Sequence, residues 1–223
     1  MIPRDHLRRI ASWSHELTGP ELERAREGIT ERTFSKGAYV CHRGDQLNSW
    51  TGVSSGLLKL SLLSKTGKPV TLAGIRTGGW FGEGSLLKSE PRKYDLVALR
   101  DTQLALMDRS TFFWLFKNSM GFNRYLVHHF NERLGQFIAL VEYERAFEAR
   151  ARLARTIAWL FNPVLYPQAG THLDASQEEI GLLSGISRQS TNKALKELER
   201  ERLLRVERAG ITVLDLQRLT QYE

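Results

Sequence analysis

The stretch ASQEEIGLLSGISRQSTNKALKELERERLL, residues 175–204, constrains this chain more than any other. Ser176 with Glu179 three residues on forms a capping-box pair, in which the hydroxyl takes the N3 amide and the carboxylate reaches back to the cap amide. Ile180, Leu183 and Ile186 supply the buried contacts of the first helix. Gly185 ends that helix, because the residue after a helix commonly adopts a left-handed conformation. Ser187 then caps a second helix, running from 188 to about 201. Helix, four-residue turn with glycine, helix is the helix-turn-helix arrangement.

At 100° per residue, Thr191, Ala194, Leu195 and Leu198 share one side of the second helix, and Arg188, Gln189, Asn192, Lys193 and Lys196 share the other. A major groove admits a helix, and its base edges pair with Arg at guanine and with Asn or Gln at adenine. Lys196 and Ser190 are placed for phosphates, and the helix N-terminus at Ser187 favours one as well. The following LLRVERAGITVLDL reads as a hairpin turned at Ala209-Gly210, a wing. Plain solvent exposure is the usual explanation of a polar helix face. Two caps, a glycine turn and a hairpin in series favour DNA reading instead.

The chain ahead of this unit has a different texture. After a short helical segment, glycines recur through residues 33–110 at Gly37, Gly44, Gly56, Gly67, Gly79 and Gly82. GLLKLSLLSKTGKPVTLAGI reads as two strands joined at a turn containing Gly67, and YDLVALRDTQLALMD as two more with a turn near Arg100-Asp101. Short strands so punctuated predict an antiparallel roll or jelly roll. From about Asn118 the turn residues stop. Leu126, Phe130, Leu134, Phe137 and Val141 then form the seam of a helix of roughly 27 residues, about 40 Å long. A helix that outgrows its own domain points to a dimer interface, with an intramolecular core helix as the alternative. EARARLARTIAWLF makes a second helix with Leu153, Ala154, Ile157, Ala158 and Phe161 on one face, and NPVLYPQAGTHL is a loop. The expected organisation is α+β: a roll over 1–117, a dimerisation helix over 118–147 and a winged helix-turn-helix over 148–223.

Composition adds bounds. The net charge of +7 and pI of about 9.7 suit a polyanionic partner. Residues 148–223 nevertheless hold eleven basic and ten acidic residues, so DNA binding there rests on local placement. The single cysteine, Cys41, excludes a disulfide scaffold or a multi-cysteine metal site. No stretch is long and apolar enough for a spanning helix, and MIPRDHLRRIASW lacks a signal-peptide core, so a cytoplasmic location without membrane attachment is expected. The six histidines make no recognisable ligand set, and no metal site or catalytic residue is assigned. A cupin-type enzyme would need histidines and a carboxylate inside the roll, where residues 33–117 hold only His42. A ligand-sensing or protein-binding module that does not bind DNA is the other alternative.

Over nearly its whole length the sequence resembles the Crp–Fnr family of bacterial transcription regulators. SQEEIGLLSGISRQSTNKALKELERERLL resembles that family's helix-turn-helix, KGAYVCHRGD and SSGLLKLSLLSKTGKPVTLAGIRTGGWFGEGSLL its cyclic-nucleotide-type roll, and the seam helix its dimerisation helix. The resemblance implies that Arg188, Gln189 and Lys193 contact bases, with Asn192 at a further reading position. Gln189 and Lys193 replace a Glu and an Arg common there, which shifts the preferred half-site, since Gln pairs with adenine. It also implies a homodimer on a palindromic site in double-stranded DNA, with RNA polymerase as a further partner.

For the effector, the resemblance points to Phe81-Gly82-Glu83 and the amides of Gly84-Ser85. Family members place an Arg and a small hydroxyl residue about ten positions later, where this chain has Arg92-Lys93-Tyr94-Asp95. Lys93 falls at the Arg position and offers no bidentate fork, Tyr94 crowds the pocket, and a one-residue slip gives Arg92 the phosphate role. Cyclic AMP, another nucleotide or small effector, and no small ligand all remain open readings.

Overall fold

Short strands rich in β-formers and separated by turns fold the N-terminal half into two facing sheets. The computed structural model describes residues 1–46, 48–63, 69–167 and 169–223, with Pro69, Glu144 and Arg145 described by backbone alone. The strands are β1 (Ile29–Phe34), β2 (Tyr39–Cys41), β3 (Ser49–Ser55), β4 (Leu57–Leu63), β5 (Pro69–Arg76), β6 (Trp80–Phe81), β7 (Asp95–Ala98) and β8 (Thr102–Asp108). One sheet has the order β1-β8-β3-β6 and the other β2-β7-β4-β5, with every neighbouring pair antiparallel. β3 and β4 follow each other in the chain but lie in opposite sheets, as do β7 and β8. That crossing makes a jelly roll, as expected. The turn expected at Gly67 lies outside the described residues.

Between the sheets sit Val53, Leu58, Leu60, Ile75, Phe81, Leu96 and Leu104. The outer face of the first sheet is closed by α1 (Arg4–Ile10), a 3-10 turn (Ser12–Glu16), α2 (Gly19–Glu27) and α4 (Arg109–Asn118). There Trp13, Trp50, Trp80 and Phe122 form a buried cluster, with Trp13 edge-on to Trp80 at 5.1 Å and Trp50 4.5 Å from Trp80. Pairs of this kind contribute about 0.5–1.5 kcal/mol each beyond their buried area. The Trp80 indole donates to Ile10 O at 2.9 Å, which ties the N-terminal helix to the roll. Neither α4 nor α3 (Glu83–Lys88) is visible in the apolar periodicity.

α5 (Met120–Ala146) has the 27 residues its periodicity implies, and α6 (Ala149–Trp159) buries Leu153, Ala154, Ile157, Ala158 and, beyond its end, Phe161. α7 (Gln177–Ser184), α8 (Arg188–Arg200), β10 (Leu204–Glu207), β11 (Gly210–Val213) and α9 (Leu216–Thr220) complete the chain. The segment read as loop contains a short strand, β9 (His172–Leu173), on the free edge of β11. The C-terminal core is not separate from the roll: Leu57 and Leu99 pack into it alongside Leu160, Leu183 and Leu198.

Candidate nucleic-acid interface and effector cavity

Each helix-turn-helix signal has its structural counterpart. Ser176 Oγ accepts from the Glu179 amide at 3.2 Å, and Glu179 Oε2 accepts from the Ser176 amide at 2.6 Å. Gly185 sits at φ 64°, ψ 28°, the left-handed position that lets the chain leave α7. Ser187 Oγ accepts from the Ser190 amide at 3.1 Å and starts α8, so the turn has three residues rather than four. Thr191 of α8 packs on Gly181 of α7, where a Cβ would lie 2.6 Å from the Thr191 hydroxyl oxygen. Gly181 is thus the residue that permits the close helix crossing, a role the spacing did not reveal.

Thr191, Ala194, Leu195 and Leu198 are buried as predicted. Ser187, Arg188, Gln189, Lys193 and Lys196 are exposed, and Ser190 and Asn192 are half-buried. Among the described residues Arg188, Lys193 and Lys196 have no ion-pair partner, whereas Glu197 on the flank is held by Arg150 at 3.4 Å. Asn192 departs from expectation: its Oδ1 is buried without a hydrogen-bond partner among the described residues, because the side chain lies at the margin of the exposed face. The wing exists, but its turn is Arg208-Ala209. Gly210 already pairs with Glu207 and serves close packing, since a Cβ there would lie 2.2 Å from Leu173 O of β9.

The seam of α5 also shifts in detail. Phe130, Leu134, Phe137 and Val141 are 37, 60, 43 and 53% exposed, but Leu126 is buried in the chain's own core and is unavailable to a partner. The physical reason is register. Val127, 67% exposed, gives 127-130-134-137-141, an alternation of three and four, whereas 126-130-134 repeats four and rotates off the stripe. Ile138 extends the same stripe.

The second site is a cavity of about 250 Å³ between the roll and α5. Leu60, Ala73, Ile75, Phe81 and Phe137 form its apolar wall, while Glu83, Lys88, Glu90, Lys93, Tyr94 and Arg133 supply polar groups. Gly82, Gly84 and Ser85 line it too, so the segment 82–85 is where the resemblance placed it. Glu83 is already engaged: Trp50 Nε1 donates to its Oε2 at 3.1 Å, and His129 Nε2 stands 3.8 Å from its Oε1. His129 is fully buried, and burial outweighs the attraction of Glu83, bringing its pKa down to about 4. Arg133 donates to Gln136 Oε1 at 3.0 Å, Trp80 O at 3.4 Å and Tyr166 OH at 3.5 Å.

Arg92 is not on the cavity wall, which corrects its proposed phosphate role. It is 1% exposed and lies beneath Gly82, donating to Tyr94 OH at 3.3 Å and Ser49 O at 3.4 Å. At φ 96° and with Arg92 Nη2 2.2 Å from where its Cβ would be, residue 82 admits glycine and little else. Lys93 does line the cavity but pairs with Glu90 at 2.8 Å, and burial raises the Tyr94 phenol above its ordinary pKa. Lys88, Glu90 and Arg133 were missed. For Arg133 a signal existed: His129, Arg133 and Gln136 are polar at spacings of four and three beside an apolar stripe.

Comparison with known proteins agrees with this geometry. The sequence model of the cyclic nucleotide-binding domain matches residues 31–119, and that of the Crp-like helix-turn-helix domain matches residues 151–222. The cyclic AMP receptor protein of Thermus thermophilus is 27% identical over 86% of this chain and 87% of its own length, and the transcriptional regulator SdrP of the same species is 28% identical over 76% and 81%. FixK2 from Bradyrhizobium japonicum shares the fold, with a TM-score of 0.70 at 19% identity, covering 87% of this chain and 97% of that one. The relatives are regulators, not enzymes. A cyclic nucleotide-binding roll followed by a Crp-like helix-turn-helix places the chain in the Crp–Fnr family of transcription regulators.

Proposed function

We propose that the protein acts in the cytoplasm as a homodimer that reads a palindromic site in double-stranded DNA, under the control of a small molecule in the roll cavity. The organisation is that of a roll over 1–117, a pairing helix over 118–147 and a reader over 148–223. The observation that carries the reading is the edge of α8, where Arg188, Gln189 and Lys193 are exposed together on a helix fixed by its opposite face. Arg188 suits guanine and Gln189 adenine, while Lys196 and Ser190 suit phosphates. Two copies joined along Val127, Phe130, Leu134, Phe137 and Val141 present that edge twice, about 34 Å apart for successive major grooves. RNA polymerase is the expected partner on the DNA.

The cavity supports an effector, but not by the Arg–phosphate pairing of the family's cyclic-AMP binders, because Arg92 is committed to the interior. A ligand hydroxyl that competes for Glu83 releases the Trp50 indole, so tryptophan emission reports occupancy. The test is selection of bound DNA from a random pool, with and without cyclic AMP and cyclic GMP, alongside sedimentation of the wild type and Leu134→Glu. The expected result is a two-fold symmetric site that the wild-type dimer binds and the monomeric variant does not. An asymmetric footprint, or a variant that stays dimeric and binds equally, overturns the reading.

A further inference from the structure

The reader is not tethered to the roll by the Phe147-Glu148 link alone; side chains of the roll grip it. Arg100, between β7 and β8, places Nη1 2.5 Å from Asp174 Oδ2 and Nη2 2.7 Å from Glu179 Oε2. That Glu179 oxygen is the one that caps α7, so the roll holds the helix by its cap. Arg76, at the end of β5 and 9% exposed, donates to Leu160 O at 3.3 Å, Ala169 O at 2.8 Å and His172 O at 3.0 Å. Its guanidinium also lies 4.8 Å from the centre of the Phe161 ring. On β5, two residues before Arg76, Gly74 leaves room for Leu160 and for Leu183 of α7, whose methyl carbons would be 3.0 Å from a Cβ at residue 74.

These contacts fix α7, and α7 fixes α8 through the Gly181–Thr191 crossing. A dimer that reads two half-sites needs both recognition helices at one separation and one rotational phase. The α5 seam relates one roll to the other but does not by itself orient a reader on its roll. We propose that Arg100 and Arg76 are spacing-determining residues: by seating the reader on the roll they set which separation of half-sites the dimer accepts. The inference rests on the proposed dimeric DNA reading.

A series of duplexes carrying the selected half-sites at the best spacing, and at one and two base pairs more or fewer, tests it. One inserted pair turns a half-site by about 34° and moves it by about 3.4 Å, so a rigid dimer loses simultaneous engagement and about tenfold or more in affinity. Arg100→Ala, and independently Gly74→Val, which wedges the same interface without touching a charge, are expected to flatten that ratio to about threefold or less. Binding at the best spacing should weaken in both, while affinity for a single half-site stays at the wild-type value. Arg100→Lys, which keeps the charge, should recover part of the discrimination. Variants with the wild-type spacing ratio overturn the assignment, as do variants that gain affinity at the best spacing or lose half-site binding. Failure of the wild type itself to prefer paired half-sites would instead sink the dimeric reading on which this one stands.

Discussion

The edge of α8 and the floor of the roll cavity both gather charged and amide side chains, and they hold them in opposite ways. On α8, Arg188, Lys193 and Lys196 stand in water without ion-pair partners among the described residues. In the cavity, Glu83 accepts from the Trp50 indole behind it and Arg133 donates to a carbonyl, an amide oxygen and a phenol, while His129, buried behind Glu83, is held neutral by burial. A charge left in water costs the fold almost nothing and remains available to a polyanion. A charge taken out of water has to be compensated by the chain itself. Substitutions on the edge should therefore change binding at constant stability, and substitutions at the floor should change stability first.

The largest effect expected is at Trp50. Its removal opens the aromatic cluster and leaves Glu83 without its donor, so Trp50→Ala should cost about 3–5 kcal/mol in urea unfolding. A loss below about 1 kcal/mol would break the distinction, because the floor would then be as dispensable as the edge.

His129 tests the same contrast through pH. Its folded pKa of about 4 lies below the ordinary 6.5, with burial and Arg133 producing the shift and Glu83 opposing it. The unfolded chain takes up a proton between those values that the folded chain refuses. Stability is therefore full above about pH 6.5 and falls as pH drops toward 4, by roughly 3 kcal/mol in total. His129→Gln should flatten that part of the stability–pH curve, and an unchanged curve would show that the imidazole is not held neutral.

The two sites also differ in how far they can be read from residues alone. The edge of α8 is local: caps, glycine and apolar period all fall within residues 175–204, and each acts on its neighbours in the chain. The cavity is assembled from β4, β5, the 81–94 segment and α5, elements far apart in sequence. Only the family resemblance pointed to Gly82, Glu83, Gly84 and Ser85, which line the cavity, and a one-residue choice between Arg92 and Lys93 depends on which way the chain turns after α3. The jelly roll was legible because its strands are short, rich in β-formers and punctuated by turns that carry glycine. β9 was not, because two residues on a sheet edge have no period to detect. Leu126 was misassigned to the seam because spacings of three and four are both helical, and only packing separates them.

On the edge itself, Arg188→Ala should weaken binding to the selected site by about 1–3 kcal/mol and relax preference at one base pair. Its melting temperature should match the wild type, since the side chain is exposed and has no ion-pair partner among the described residues. Equal loss on specific and random duplexes would turn Arg188 from a reader of bases into a generic cation, and with it most of the contrast between the two sites would go.

Lys196 should show the smallest effect and refine the edge from within. It lies two turns along α8 from Arg188, exposed and unpaired among the described residues, and the role proposed for it is a phosphate contact rather than a base contact. A cation on a phosphate releases a counterion whatever the sequence, so Lys196→Ala should lower affinity on specific and random duplexes by the same factor. For each phosphate left unneutralised, the slope of log affinity against log salt should become shallower by about one. If Lys196→Ala instead altered base preference while leaving the salt slope intact, the reading face would extend further along α8. The division of that edge into bases near Arg188 and phosphate near Lys196 would then have to be redrawn.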